Sequence, residues 1–355
     1  MTIALCEDST IAACCSQISS ARFRSVMSVA EASMHGSPLI SINSSGLIGD
    51  LEKTVGGMQT SGLRKRGKIM FRFVTVCLAF FFASAASAQI QFPPDSRLKA
   101  ITTTKTIKIA YRADARPFSF VNDKNEPVGF TIDLCRLVAN SIGQQFGLGD
   151  LKIDWVPTTV QTRFTTVASG KADMECGSST ATLGRMKEVD FSNIVFVETT
   201  GIIVAKTSNI RTFADMAGKK IAVASGTTNE QAIINQIKQQ KIEVTLISVK
   251  DGSEAVALLE SGKVDGFASD KLLLVGAHIK NPQDLMMLPD DLSVEPYAIV
   301  LPRGDWALRL AVNTGLAQIY RDGRVVAVFK AWFDRVGLQM SPILRVVYGL
   351  GSLSD

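Results

Sequence analysis

After residue 105, short apolar runs alternate with segments whose apolar positions recur every three or four residues. The β-branched runs predict strands and the helical spacing predicts helices. Strands that alternate with helices indicate βαβ units around a mainly parallel sheet. The predicted strands are Thr106–Tyr111, Leu151–Val156, Ala172–Cys176, Lys220–Ala224, Val244–Val249, Val264–Ala268 and Tyr297–Leu301. The predicted helices are Thr131–Ile142, Thr162–Ala168, a helix that follows the turn Ser225–Thr228 and runs to about Gln239, Glu254–Leu259, Lys271–His278, Asp305–Tyr320 and Val325–Phe333.

These elements fall into two α/β sets, which predict two lobes. A long apolar segment, Ile194–Lys206, is the candidate connector from the first set to the second. The strand from Tyr297 could then return the chain to the first set. We therefore expect lobe 1 to comprise residues 89–198 and 297–345, and lobe 2 residues 199–296.

Residues 63–88 have the three parts of a secretory signal peptide in the expected order. A cluster of lysines and arginines precedes an apolar run, Phe73–Phe82, and Ala86-Ser87-Ala88 matches a signal-peptidase site. We predict a signal hydrophobic part over residues 70–88, cleavage after Ala88 and export to the periplasm. The alternatives are an uncleaved anchor and a buried helix. We expect residues 1–69 to be an unstructured leader. Their presence before a signal peptide would be explained if translation begins at Met58 or Met70 and the start codon was assigned too far upstream.

Charge and cysteine content narrow the class of protein. The formal net charge is +5, but residues 89–355 hold 30 basic and 28 acidic residues, so the exported part is nearly neutral. A balance this near neutral offers no broad basic field for nucleic acid. Four of the six cysteines precede residue 89, which leaves Cys135 and Cys176. They could form one disulfide, but the sequence does not establish the geometry that this needs.

The first candidate chemistry lies between Asp173 and Asn193. Ser178 and Thr180 follow a predicted strand, and Arg185 follows five residues later. Hydroxyls and backbone N–H groups at a strand-to-helix junction bind anions, and a guanidinium can hold a carboxylate with two parallel hydrogen bonds. This is the chemistry that holds a free amino acid by its α-carboxylate. The alternative is a helix-capping cluster with a surface arginine.

Seven motifs in order resemble the family-3 periplasmic solute-binding proteins that deliver polar amino acids to ABC transporters. They are RPFSF, GFTIDL, SGKADM, the T-x-x-x-x-R pattern from Thr180 to Arg185, VDFSN, TFADMAGKKIAVASGTT, and the SD pair at Ser269-Asp270. The resemblance covers residues 98–338 and is strongest to the glutamate/aspartate-binding branch. It implies a type II periplasmic-binding-protein fold, in which two α/β lobes with mixed, mainly parallel sheets are joined by two hinge strands and close on the ligand.

The resemblance also implies roles for individual residues. Arg185 and Thr180 would hold the α-carboxylate from the first lobe, and Thr227 and Thr228 would hold it from the second. The other role of the two second-lobe threonines is simple N-capping, and both roles can hold at once. Asp270 would accept from the ligand ammonium together with Ser178, or else it caps the following helix.

Further arginines of the glutamate/aspartate branch read the ligand side chain, and they correspond to Arg112 and Arg163. Three converging guanidinium groups repel one another unless an anion lies between them, which favours a ligand with two carboxylates. Phe118 is the candidate for an aromatic platform under the ligand, with a plain core position as the alternative.

Two departures from that branch leave the ligand open. The family branch has a histidine where this chain has Gly252 and a serine where it has Val160, so two polar contacts to the distal end of the ligand are missing. The loss of a buried hydrogen-bonding partner changes discrimination by roughly 1–3 kcal/mol. The ligand is therefore expected to be glutamate or aspartate, with glutamine, another polar amino acid or a larger dicarboxylate as alternatives.

An enzyme is the main rival hypothesis, because cyclohexadienyl dehydratases share this fold. After residue 88 the sequence has one histidine, His278, and no zinc spacing, phosphate loop or nucleophile elbow. Glu175 is a candidate acid, but a carboxylate on a strand is expected to face solvent. We therefore predict a monomeric binding protein with no catalytic residue, cofactor or metal, whose partners are an amino acid and an inner-membrane ABC permease.

Overall fold

The structure is a computed structural model, and it describes residues 92–277 and 282–353 of the chain. The predicted leader, the signal peptide with its cut after Ala88, and His278 lie outside the described residues. Residues from Ile90 onward form a compact unit of their own.

The described residues contain thirteen strands and nine α-helices. The strands are β1 (Thr106–Arg112), β2 (Asp114–Ala115), β3 (Ser119–Val121), β4 (Pro127–Val128), β5 (Lys152–Thr158), β6 (Met174–Glu175), β7 (Val189–Glu198), β8 (Thr200–Ala205), β9 (Lys220–Ala224), β10 (Thr245–Val249), β11 (Gly266–Asp270), β12 (Leu285–Met287) and β13 (Glu295–Pro302). The helices are α1 (Arg97–Thr104), α2 (Phe130–Gln145), α3 (Arg163–Ala168), α4 (Thr228–Gln240), α5 (Gly252–Glu260), α6 (Lys271–Gly276), α7 (Trp306–Arg321), α8 (Arg324–Phe333) and α9 (Pro342–Gly351).

Two five-stranded mixed sheets organise the fold. The first has the order β5-β1-β6-β13-β7, with β1 parallel to β5 and β6 and with β13 antiparallel to β6 and β7. The second has the order β10-β9-β11-β8-β12, with β9 parallel to β10 and β11 and with β8 antiparallel to β11 and β12. Strands β2, β3 and β4 form a small antiparallel sheet of their own.

The chain crosses between the two sheets twice. It leaves the first sheet at the end of β7, enters the second sheet in β8, and returns through β13. Glu198 at the end of β7 pairs with Glu295 at the start of β13, so the two crossings lie side by side. The segment Ile194–Lys206, which we expected to be one connector, is therefore divided between β7 and β8. This is the two-lobed α/β architecture that the sequence predicts, whereas the residue boundaries of the lobes stay a prediction.

Aromatic side chains fill the core beside the first sheet. Phe130, Phe196 and Phe333 pack against one another, and the ring centroids of any two of them are 5.4 Å apart. Helix α9, which the sequence analysis missed, joins this core through Leu344 and Tyr348. Burying one such side chain stabilises the fold by about 1.5–3 kcal/mol. In the second lobe, separate apolar clusters pack on either side of the sheet, as expected for parallel strands covered on both faces.

A disulfide links Cys135 to Cys176, which settles the pairing that the sequence left open. It joins helix α2 to the residue that follows β6. The two cysteines are 41 residues apart in sequence. The link therefore fixes the segment that carries Ser178 and Thr180 against the core helix.

Candidate ligand-binding site

A cavity of about 330 Å³ lies between the two lobes and is lined from both. Its position at the ends of parallel strands and the starts of helices is where α/β folds place small-molecule sites. Seven of the nine predicted site residues line it: Arg112, Arg163, Ser178, Thr180, Thr227, Thr228 and Asp270. The other two, Phe118 and Arg185, are not among its lining residues.

Arg112, the last residue of β1, is already paired within the protein. Its Nε and Nη2 donate to the two carboxylate oxygens of Asp114 at 3.0 and 2.8 Å, and its Nη1 donates to Ser178 Oγ at 3.2 Å. Burial alone would lower the pKa of Arg112, but the Asp114 carboxylate outweighs it and the pKa rises above its usual value. Arg112 therefore offers the cavity a cation that is largely neutralised.

Arg163 is in the opposite situation. It begins helix α3, is 3% exposed and lines the cavity, and its Nη1 donates to the backbone oxygen of Ser178 at 3.3 Å. Its Nε has no hydrogen-bond partner. Burial and the neighbouring cations Arg112 and Arg185 lower the pKa of Arg163 to about 9. A buried guanidinium in this state is stabilised by an anion that enters the cavity.

Glu175 is wholly buried, which makes the expectation of a solvent-facing strand carboxylate wrong. The residue lies on the central strand β6, so both faces of its strand are covered. Ser179 Oγ donates to one carboxylate oxygen at 2.7 Å, while Oε1 has no partner. Burial raises the pKa of Glu175, although the nearby Arg163 opposes the rise. A Cβ at Gly177 would lie 2.2 Å from Oε1, so a larger residue there would displace the Glu175 carboxylate.

Arg185 lies in a short 3₁₀ segment, Arg185–Lys187, at the edge of the site. Its Nη1 donates to the backbone oxygen of Thr180 at 2.8 Å, and its guanidinium lies 4.8 Å from the ring centroid of Phe164. Its Nη2 reaches the backbone oxygen of Gly226 in the second lobe at 3.5 Å. Burial lowers the pKa of Arg185. The residue thus spans the gap between the lobes and does not form the wall of the cavity.

The two threonines at the start of helix α4 have different roles. Thr227 is the N-cap: its Oγ1 accepts from the Glu230 N–H at 3.1 Å and donates to the Ala224 oxygen at 2.7 Å. Its hydroxyl is therefore used within the helix terminus, as the capping alternative predicts. Thr228 is the first helical residue, and its Oγ1 points to the first lobe, 3.4 Å from Thr180 Oγ1.

Asp270, the last residue of β11, does not cap the helix that follows. It occupies the N-cap position of α6, but its side chain makes no capping hydrogen bond there. It is 5% exposed, lines the cavity and accepts from Asn229 Nδ2 at 3.0 Å. Burial and the neighbouring Glu295 carboxylate raise the pKa of Asp270 to about 6. The capping alternative is therefore wrong, and the carboxylate remains available to the cavity.

Phe118 lies in the core, so the structure corrects its assignment as a platform. It is fully buried, and its ring packs against those of Phe196 and Tyr297 at 4.9 and 5.1 Å. Phe120, in β3, and Phe267, in β11, are aromatic residues that do line the cavity. Arg116 lies 4.0 Å from the ring centroid of Phe120. The RPFSF motif holds both Phe118 and Phe120, and only the fold distinguishes the core ring from the ring at the cavity.

Glu295 is the main feature that the sequence analysis missed. It begins β13 and is 2% exposed. One carboxylate oxygen accepts from Thr180 Oγ1 at 2.7 Å and from Thr228 Oγ1 at 2.5 Å. The other accepts from Ser293 Oγ at 2.6 Å and from Thr200 Oγ1 at 3.3 Å. The Glu-Pro-Tyr run in which it lies carries no recognisable site pattern, so its position at the crossing is what makes it a site residue.

Several other observations bear on the chemistry. Val160 and Gly252, the two departures noted in the sequence, both line the cavity. In the described residues no group of three or more His, Cys, Asp or Glu side chains could hold a metal ion. Of the helices in residues 92–277 and 282–353, none is both long and apolar enough to cross a membrane.

Comparison with known proteins agrees with this geometry. Residues 107–335 match the model of the bacterial extracellular solute-binding proteins, family 3, and the chain belongs to that family. A relative in Pseudomonas aeruginosa, named L-glutamate/L-aspartate-binding protein, is 34% identical over 67% of this chain and 80% of its own length. The glutamate/aspartate import solute-binding protein of Escherichia coli is 30% identical over the same shares.

The fold also matches solved structures. An ancestral amino acid-binding protein, described as a precursor of cyclohexadienyl dehydratase, superposes with a TM-score of 0.58 at 28% identity. The match covers 67% of this chain and 99% of that one.

Proposed function

We propose that the protein is the extracytoplasmic substrate-binding component of an amino acid ABC transporter, and that it holds glutamate or aspartate in the cavity between its lobes. Membership of family 3 and the names of the two relatives at 30–34% identity support this proposal. The observation that supports the proposal most strongly is the pair Arg163 and Asp270: two buried residues of opposite charge line one small cavity.

Each of these groups favours one end of a free amino acid. On one side lies the arginine wall, which we define as Arg112, Arg163 and Ser178. On the other lies the acidic wall, Thr228, Asn229 and Asp270. The pKa of Arg163 is lowered and that of Asp270 is raised, so each charge is held at a cost that an opposite charge would offset. A zwitterion placed between the walls supplies both charges at once.

The contacts between the lobes support ligand capture by closure. Thr180 and Thr228 approach from opposite lobes, and Gln161 Nε2 donates to the Lys250 oxygen at 3.0 Å. Arg185 reaches Gly226 in the same way. A ligand that touches both lobes stabilises this closed arrangement relative to an open one, because only the closed form makes both sets of contacts. We propose that an inner-membrane permease recognises the closed protein in the periplasm and that the protein acts as a monomer.

A second candidate is a neutral polar amino acid such as glutamine. The observation that favours it is the pairing of Arg112 with Asp114, which leaves fewer free cations for a second carboxylate than three unpaired arginines would. Glutamate needs Arg163 to hold its distal carboxylate, whereas the amide of glutamine needs hydrogen bonds but no cation.

A thermal-shift screen of the purified exported protein against all common amino acids, followed by calorimetric titration, tests the proposal. We expect the largest stabilisation from glutamate or aspartate. Stabilisation by glutamine alone would favour the second candidate. No response to any amino acid, together with conversion of prephenate or arogenate to product, would replace the binding proposal with a dehydratase.

Arg185→Ala sharpens this screen, since the residue lies outside the hydrophobic core. We expect the variant to fold and to lose amino acid binding, because its guanidinium links Thr180 to the second lobe and is the expected partner of the α-carboxylate. Binding of wild-type strength in this variant would remove Arg185 from the site.

A further inference from the structure

The hydrogen bonds around Glu295 determine which way two hydroxyl groups of the cavity point. An ionised carboxylate only accepts hydrogen bonds, and a threonine hydroxyl has one proton to donate. Distances of 2.7 and 2.5 Å from Thr180 and Thr228 to a single carboxylate oxygen are typical of O–H groups that donate to an anion. Both protons therefore point to Glu295, away from the cavity.

The lone pairs of the two hydroxyls then remain for the ligand. Thr180, Thr228 and Asp270 all line the cavity. Asn229 donates to Asp270 and to Thr200, and Thr200 donates in turn to Glu295, so the surrounding network also keeps Asp270 an acceptor. Three acceptors consequently face one end of the cavity, and an ammonium group has three N–H donors.

We propose that Glu295 is a positioning residue that determines specificity: by taking the hydroxyl protons of Thr180 and Thr228, it makes them, with Asp270, a three-acceptor site for the ligand ammonium. This inference rests on the proposed function and changes one part of it. The hydroxyls of Thr180 and Thr228 do not donate to the α-carboxylate, which is left to the guanidinium groups and to backbone N–H groups. The site therefore discriminates against acids that lack an amino group.

Glutamate and glutarate form the matched pair of probes, because they differ only in the amino group. In the full exported protein, affinities for both are measured by calorimetric titration, with displacement of glutamate for a weak competitor. If another amino acid binds best, that amino acid and its deaminated analogue replace the pair. The quantity compared among variants is the ratio of the two affinities.

Glu295→Leu frees both hydroxyls, so we expect weaker glutamate binding, stronger glutarate binding and a ratio lowered by about tenfold or more. Glu295→Gln keeps an acceptor oxygen of the same shape, and we expect the ratio to stay within about threefold of wild type. An unchanged ratio in Glu295→Leu, or an equal fall in Glu295→Gln, would overturn the proposal.

Thr228→Val gives an independent test that leaves Glu295 in place, and it serves alone if Glu295→Leu does not fold. We expect it to weaken glutamate binding by about tenfold and to change glutarate binding by less than about threefold, since only the ammonium loses an acceptor. Equal losses for both acids would mean that the hydroxyl serves a carboxylate, which contradicts the proposal. Failure of the wild type to bind any amino acid would instead contradict the proposed function.

Discussion

The two walls of the cavity carry opposite charges and are built by different means. The arginine wall is assembled from residues at the end of β1, the start of α3 and the loop after β6, and its cations are balanced unevenly by Asp114 and Glu175. The acidic wall is built at one helix terminus and one strand end, where Asn229 joins Asp270 to the hydroxyl network around Glu295. In the arginine wall each cation is compensated by a neighbouring carboxylate, whereas in the acidic wall the negative charge is stabilised by a network of hydrogen bonds.

This difference indicates where ligand binding gains most free energy. Arg112 already has its counter-ion, so a ligand anion adds little to it. Arg163 and Asp270 are both buried, and their surroundings stabilise their charges only in part. The pKa of Arg163 is lowered and that of Asp270 is raised, so the neutral form of each residue is favoured relative to its form in water. We infer that, among the residues of the two walls, these two contribute most to affinity.

Among the residues of the two walls, the largest expected effect comes from removing Arg163, the cation of the arginine wall that has no salt-bridge partner in the described part of the chain. Arg163→Met should weaken glutamate binding by about 100-fold or more, since a hydrogen-bonded buried charge pair is lost. Calorimetric titration measures the change. Arg324→Met is the control, because Arg324 is partly exposed and pairs with Asp322 away from the cavity. Near-normal affinity in Arg163→Met would mean that the wall acts through Arg112 instead.

Loss of the disulfide tests how firmly the arginine wall is held. We expect the double variant Cys135→Ala/Cys176→Ala to lower the free energy of unfolding by about 2–4 kcal/mol, the usual contribution of a disulfide that closes a loop of this size. Chemical denaturation measures it. The same variant should bind glutamate within about tenfold of wild type, because Ser178 and Thr180 keep their hydrogen bonds. A much larger loss of binding would show that the disulfide sets the geometry of the wall.

Glu198 should make the ligand-free protein more stable at low pH than at high pH. Burial raises the pKa of Glu198 to about 7, above its usual value of 4.5, so its contribution to stability is full below pH 4.5 and is lost as pH rises through about 7. Glu198→Gln should therefore stabilise the ligand-free protein by about 1–3 kcal/mol near pH 8 and flatten the pH dependence. Thermal unfolding between about pH 5 and pH 8 measures both, and an unchanged profile would contradict the assignment.

A smaller effect is expected in the pH dependence of binding. The ligand ammonium favours ionised Asp270, whose pKa is raised to about 6, so affinity should rise as pH increases through about 6. We expect binding to be about tenfold weaker near pH 5 than near pH 7.5, with proton release on binding near pH 6. Titrations in buffers of different ionisation enthalpy detect that release. Asp270→Asn should abolish the dependence, and its persistence in that variant would assign it to another group.

Much of the fold was predictable because it depends on local patterns. Alternating strands and helices indicated two α/β lobes, and the apolar run from Tyr297 predicted the return strand β13. The motif order also placed Arg163 and Asp270 at the cavity. Helix α9 was missed, although its Ser341-Pro342 start is a helix-initiating pair, because the resemblance ended near Leu338.

The site features that could not be predicted from the sequence depend mainly on contacts between residues that are distant along the chain. Glu295 receives hydrogen bonds from Thr180, 115 residues away, and from Thr228, 67 residues away. No periodicity or spacing encodes such a meeting. Arg112 and Asp114 are only two residues apart, yet the sequence alone does not show whether Arg112 pairs with Asp114 or with a carboxylate of the ligand. The burial of Glu175 likewise follows from the central place of β6 in the sheet order.

The most direct test of the account is a crystal structure of the protein with glutamate bound. We predict the ligand in the cavity with its ammonium within about 3 Å of Asp270 and of the Thr180 and Thr228 hydroxyls, and with a carboxylate on Arg163. A ligand in the reverse orientation, with its ammonium toward the arginine wall, or a ligand bound outside the cavity, would contradict it.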